Sequence, residues 1–192
     1  MKRIGITGGI GSGKTYVASV FQSLGIPIFN ADIQAKKLMT SSRKLIKLVK
    51  EEFGNDIYKD SDLNKEKLAS IVFSDSDKLQ KLNSLVHPIV KEEFNNWYKK
   101  QTSPYVIKEA AILFESNSHI GLDAVICVSA PLELRMKRLL NRDNYSEKEI
   151  KKRIENQISQ EEKQKLSDYI IVNDEKELLL PKIIRIHKEL LS

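Results

Sequence analysis

The chain is poor in the features that mark several broad protein classes. It holds a single cysteine, Cys127, so no disulfide framework can form within it. That cysteine lies in the apolar run Ala124 to Val128, which reads as a buried strand, and its thiol is expected to be an inert part of the core. No apolar stretch approaches the length needed to span a bilayer, and Met1 leads directly into a short β-branched run with no signal-like apolar segment. A cytoplasmic protein with no membrane partner is therefore expected. The net charge of +6 comes from lysines interspersed with Glu and Asp, not from a basic block. With the few aromatic residues falling mostly on apolar stripes, a nucleic-acid surface is not expected either. The excess charge reads as a solvated surface that favours small polyanions. There is no internal repeat, no low-complexity tract and no histidine-carboxylate spacing suited to a metal cage.

What is present is concentrated at the start. Lys2 to Thr7 forms a short strand that runs into Gly8-Gly9-Ile10-Gly11-Ser12-Gly13-Lys14-Thr15, which matches G-x-x-x-x-G-K-[ST] at each specified position. Glycines let the backbone turn with positive φ and bring its N–H groups against phosphate oxygens. Lys14 supplies a cation for the β- and γ-phosphates, and the Thr15 hydroxyl is a candidate ligand for Mg²⁺, a hard ion that favours oxygen. Val17, Val20, Phe21 and Leu24 recur at helical spacing, so a helix starts near Lys14 and turns its partly positive end toward the bound anion. ATP and Mg²⁺ are the ligands this pattern points to.

The rest of the chain reads as alternating strands and helices. Gly25 closes the first helix, and Ile26 to Phe29 gives a second strand leading to Asn30-Ala31-Asp32. Asp32 stands just past a strand's C-terminal end, where open parallel sheets bind ligands, so it reads both as the cap of the next helix and as a catalytic carboxylate. Arg43 to Tyr98 is helical in pattern throughout, with a helix starting near Asp75 that Pro88 should kink or divide. His87 sits beside that proline and, on residue type alone, is a packing residue. A third strand is expected from Tyr105 to Phe114, a fourth from Ala124 to Val128 and a fifth from Tyr169 to Val172. On the helix after Pro131, Arg135, Arg138 and Arg142 fall on one face, with Leu132, Met136, Leu139 and Leu140 expected on the opposite, buried side. Three guanidinium forks in a row suit bidentate phosphate contacts. The charged stretch Asn141 to Lys165 has the composition of a loosely held helical lid.

Together these elements predict an α/β fold: a five-stranded parallel sheet with a P-loop, helices on both faces, a helical substrate-binding insertion and a helical lid. One domain is expected over residues 1–192. Its core is 1–40, 102–140 and 167–192, its insertion 41–101, and its lid 141–166. The lobe, the lid and the lack of a base-reading Asn-Lys-x-Asp motif favour a small-molecule kinase over a GTPase switch. Another small-acceptor kinase, acting on a nucleoside monophosphate or a sugar acid, is the nearest alternative.

The chain also resembles the dephospho-CoA kinase family. The resemblance rests on the Thr7 to Thr15 loop, Asn30-Ala31-Asp32, Leu85-Val86-His87-Pro88, Leu113-Phe114-Glu115, the Arg138 to Asp143 stretch, and Gln157, Lys163, Asp168 and Asn173 in the tail. It implies transfer of the ATP γ-phosphoryl group to the ribose 3′-hydroxyl of dephospho-CoA on a nucleoside-monophosphate-kinase-like fold. It further implies that Asp32, Lys14, Arg138 and Arg142 are catalytic, and that Gly8 to Thr15, Tyr16 and Asn173 bind the nucleotide. Asp32, His87 and Glu115 would face the acceptor. Small molecules are the expected partners, with a monomer expected and a higher oligomer left open. The chain departs from the family pattern twice: Asn30 stands where a second aspartate is usual, and Glu109-Ala110-Ala111 replaces Asp-Ile-Pro.

Overall fold

The computed structural model describes residues 1–59, 62–142 and 146–192, the side chains of Phe73 and Arg142 excepted. The chain divides into two compact units, one formed by Met1–Asn30 with Gln101–Ser192 and the other by Ala31–Lys100.

The first unit is built on a parallel sheet. Its strands are β1 (Lys2–Thr7), β2 (Ile28–Asn30), β5 (Tyr105–Glu109), β6 (Ala124–Ser129) and β7 (Tyr169–Val172), in the spatial order β2-β5-β1-β6-β7. Parallel neighbours need crossovers, and within this unit the helices that supply them are α1 (Lys14–Ser23), α6 (Leu132–Arg142), α7 (Glu147–Glu155) and α8 (Gln160–Lys165), while α9 (Leu179–Leu191) follows the last strand. Alternation decides which side chains meet. Ile4 and Ile6 of β1, Tyr105 and Ile107 of β5, and Ile126 and Val128 of β6 share one core with Val17, Ala18 and Phe21 of α1 and Ile183, Ile186 and Leu190 of α9. Within it the Phe21 and Tyr105 rings meet edge to face, their centroids 6.5 Å apart. Burying a side chain such as Phe21 stabilises the fold by about 1.5–3 kcal/mol.

Two strand expectations need revision. The apolar run predicts a third strand as far as Phe114, but β5 ends at Glu109 and residues 111–121 form turns, with the N–H groups of Ser116 and Ser118 donating to the carbonyls of Ile112 and Leu113. Ala110, Leu113 and Phe114 are buried all the same, and an apolar run does not by itself distinguish strand from packed turn. The other revision is in the second unit, where a short antiparallel pair, β3 (Tyr58–Lys59) with β4 (Asp62–Leu63), interrupts a segment whose pattern predicts helix throughout.

That second unit otherwise comprises α2 (Ala31–Ser41), α3 (Arg43–Phe53), α4 (Lys65–Ser74) and α5 (Ser76–Tyr98). Ser42, Asn64 and Asp75 cap the last three with side-chain oxygens, as their residue types favour. Leu82, Val86, Ile89, Val90 and Phe94 make the buried stripe of α5, which runs undivided through Pro88. The unit begins at Ala31, not at residue 41, because α2 packs on α3 and α5.

Candidate active site

The loop from Gly8 to Thr15 joins β1 to α1, and its glycines are set by neighbouring protein as much as by any ligand. Gly8 has φ 148°, and a β-carbon there would stand 2.0 Å from the carbonyl oxygen of Val128 on β6. Gly13, at φ 94°, leads into α1, and a β-carbon on it would meet Asn173 Nδ2 at 2.3 Å. Lys14 opens the helix and is only 8% exposed, its Nζ donating to the Gly9 carbonyl at 3.3 Å. The ammonium is thus folded back over the loop, with the first-turn N–H groups of α1 beside it. Ser12 Oγ is buried in the same loop and has no hydrogen-bond partner among the described residues. A bent backbone, a held cation and an uncommitted hydroxyl fit a polyphosphate.

Four side chains grip the loop from outside. Gln157, between α7 and α8, accepts the Ile10 N–H at 3.0 Å, while Arg135 Nε donates to the Ile10 carbonyl at 2.9 Å. Arg138 spreads its fork over the Gly11 and Ser12 carbonyls at 3.4 Å, the Asn173 carbonyl and side-chain oxygen at 3.2 Å, and Glu175 at 2.9 Å. Asn173 in turn donates Nδ2 to the Ser12 carbonyl at 2.8 Å. This arrangement corrects the expected polarity of α6. Arg135 is 6% exposed and Leu139 1%, whereas Leu132 is 56% and Leu140 47% exposed. A hydrophobic stripe places arginine outward only when nothing polar waits inside, and here the loop's carbonyls do. Burial lowers the pKa of Arg135, an effect the Glu161 carboxylate opposes.

Thr15 answers a second group. Its Oγ1 donates to Glu109 Oε1 at 2.7 Å, and Asn30 Nδ2 donates to Glu109 Oε2 at 2.7 Å. Glu109 is 4% exposed and ends β5, the strand beside β1, so sheet order carries it to the loop's helix. Thr15 spends its proton on Glu109 and keeps lone pairs for a cation. Among the described residues no group of three or more His, Cys, Asp or Glu could hold a metal. A hydroxyl with a nearby carboxylate still suits Mg²⁺, which retains waters and takes further oxygens from substrate phosphates.

The other expected residues are distributed unevenly. Asp32 is exposed and lies one residue inside α2, in its first turn, so it is not the helix cap; its charge there favours the helix through the macrodipole. His87 is half-buried on α5 of the second unit. Tyr16 is 61% exposed on α1. The Arg142 side chain lies outside the described residues. Glu115 binds protein: its Oε1 accepts from Lys163 Nζ at 2.8 Å and from the Ile158 N–H at 3.2 Å, and Lys163, 0% exposed, also donates to the Ala111 carbonyl at 2.7 Å. The segment expected to be a loose lid is accordingly anchored over its second half, where Gln160 also accepts the Ala130 N–H at 3.1 Å.

Sequence reasoning does not single out Glu109 as a site residue; it reaches Gln157 only through the family resemblance, and it reads Arg135 as a phosphate contact, not as a holder of the loop's backbone. Position past a strand end selects Asp32, and the same rule selects Glu109 once β5 is ended at 109. Arg135 stands out locally as one of three arginines on a helix face, but only its partner, the Ile10 carbonyl, identifies what it holds.

Comparison with known proteins bears on the whole chain. The family model described as Dephospho-CoA kinase matches residues 2–178. A dephospho-CoA kinase of Bacteroides fragilis is 37% identical over 185 residues, covering 96% of this chain and 90% of the relative. Among solved structures, a Thermus thermophilus protein superposes with a TM-score of 0.84 at 32% identity, covering 99% of this chain and 96% of the other. Dephospho-CoA kinase from Campylobacter jejuni superposes with a TM-score of 0.68 at 26% identity, covering 98% of this chain and 97% of the other.

Proposed function

This chain belongs to the dephospho-CoA kinase family, and we propose that its Gly8–Thr15 loop, Glu109 and Asp32 divide the work of transferring the ATP γ-phosphoryl group to the ribose 3′-hydroxyl of dephospho-CoA. The reaction class is ATP-dependent phosphorylation of dephospho-CoA, the final step of coenzyme A biosynthesis. The observation that carries the division of labour is the pairing of a buried, loop-held Lys14 with a Thr15 hydroxyl turned onto buried Glu109.

Phosphoryl transfer leaves little covalent work to the protein; the task is to position two oxygens in line and offset the charge spread over the moving group. Loop N–H groups and Lys14 hold the donor's phosphates. Thr15, with Glu109 behind it, would hold Mg²⁺, which would supply positive charge against that of the phosphates. Asp32 takes the proton of the acceptor hydroxyl, and His87 and Glu115 belong to the acceptor side, Glu115 by fixing the backbone at Ile158. Arg138, through Asn173, keeps the nucleotide loop in shape, and Arg142 adds positive charge at the end of α6. The proposal includes a cytoplasmic monomer with no nucleic-acid or membrane partner, in keeping with small-molecule substrates. No described helix is long and apolar enough to cross a membrane.

ADP release measured with dephospho-CoA, AMP or gluconate as acceptor tests the assignment. Release that requires dephospho-CoA, with the new phosphate on the 3′-oxygen, is expected. Release without an acceptor, or preference for AMP or gluconate, would overturn it.

A further inference from the structure

Glu109 is buried, and both of its carboxylate oxygens are held from opposite sides, Oε1 by the Thr15 hydroxyl and Oε2 by the Asn30 amide, each at 2.7 Å. Asn30 and Glu109 are register partners across the parallel β2–β5 pair, so the contact is built into the sheet. We propose that Asn30 is a positioning residue for phosphoryl transfer. By holding Oε2 it sets the rotation of the Glu109 carboxylate, and Glu109 then turns the Thr15 proton inward and its lone pairs toward the Mg²⁺–nucleotide. The inference rests on the reading of Thr15 as a metal ligand.

The physical argument concerns orientation. The terminal torsion of a glutamate is broad, so one hydrogen bond leaves the carboxylate free to swing about the bonded oxygen. A second donor on the other oxygen removes that freedom. The donor must also be one that does not compete for Thr15. A side-chain amide meets this need, because it offers N–H to Glu109 and brings no second negative charge. An aspartate of the same size at position 30 would set oxygen against oxygen at the same separation, and Glu109 would turn away from one partner or the other. Groups behind a metal ligand commonly change metal affinity by about tenfold to a hundredfold when they are removed.

The test is calorimetric titration of ADP over a range of Mg²⁺ concentrations, which needs no turnover. Asn30→Asp should raise the Mg²⁺ needed for half-maximal tightening of ADP binding about tenfold or more, while Mg²⁺-free ADP affinity stays at its wild-type value; the ligand-free protein should melt lower, because two carboxylates then face each other in a buried site. Asn30→Ser, too short to reach Oε2, should show the same shift and serves if the first variant fails to fold. The double variant Asn30→Asp with Glu109→Gln should recover much of the loss. The introduced glutamine amide can donate to the introduced aspartate while the glutamine carbonyl accepts from Thr15, so the chain of hydrogen bonds is restored with donor and acceptor exchanged. Thr15→Val is measured in parallel. If it shifts the Mg²⁺ requirement and the position 30 variants do not, the role of Asn30 is overturned and the Thr15 reading stands. If Thr15→Val leaves the titration unchanged, that reading falls and takes this inference with it.

Discussion

Arg135 donates Nε to the Ile10 carbonyl at 2.9 Å, and its guanidinium lies so close to the loop that a β-carbon on Gly9 would stand 2.4 Å from it. Arg135→Lys keeps the charge but loses the planar fork that fills this space. Hydrogen bonds to charged groups are worth about 1.5–3 kcal/mol, so stability should fall by roughly that amount in a denaturant melt. ADP affinity should weaken alongside, because the loop then loses one of its two holds on Ile10. Wild-type values for both would mean that Gln157 suffices to shape the loop.

Asp32 offers a cleaner separation of structure from chemistry. It lies in the first turn of α2, where its charge is worth about 0.3–1 kcal/mol through the helix dipole. Asp32→Asn should therefore melt within about 1 kcal/mol of wild type, while turnover falls by about a hundredfold, the scale of a positioned general base. ATP binding should change little. A stable and fully active variant would remove Asp32 from the chemistry.

Lys163 is a deeply buried charge paired with a carboxylate. Its side chain is 0% exposed, with Glu115 at 2.8 Å as its partner. Lys163→Met strands the Glu115 carboxylate, and breaking a buried pair on one side costs about 3–5 kcal/mol. Adding Glu115→Leu removes the stranded charge and should return part of that stability. A double variant no better than the single would show that Lys163 acts through the Ala111 carbonyl and not through the ion pair.

Cys127 links burial to pH. Burial pushes its thiol up to about 11 from the ordinary 9.0, against the pull of the Lys163 and Lys14 charges. The folded state thus favours the neutral thiol, which adds stability at all pH values below 9 and loses it as pH rises through about 11. The folded protein should resist a thiol-modifying reagent at about pH 8 and react promptly once denatured. Rapid labelling of the folded protein would place the thiol at the surface.

Legibility followed the range of the signal. The Gly8–Thr15 loop and α1 are readable because a motif and a helical period are local. The end of β5 was misread because Ala110 to Phe114 is apolar in either conformation. The inward turn of Arg135 was hidden because hydropathy assigns arginine to water until a carbonyl to receive it is known. The loose lid was misjudged likewise: Lys163 and Gln160 look like surface residues, yet each has a specific oxygen or N–H to meet.

The amino-acid sequence by itself determined that a phosphate-binding loop follows the first strand, that five apolar strands alternate with helices around it, and that a helical segment interrupts them. Periodicity and turn chemistry act over a few residues, so they are written where they act. Only the tertiary structure decided that β5 lies between β2 and β1, which brings Asn30 and Thr15 to Glu109, and that α6 faces the loop with Arg135 and Arg138. Those meetings join residues from 10 to 138, and no local pattern records them, because the free energy that selects them lies in strand order and buried polar pairing across the whole unit.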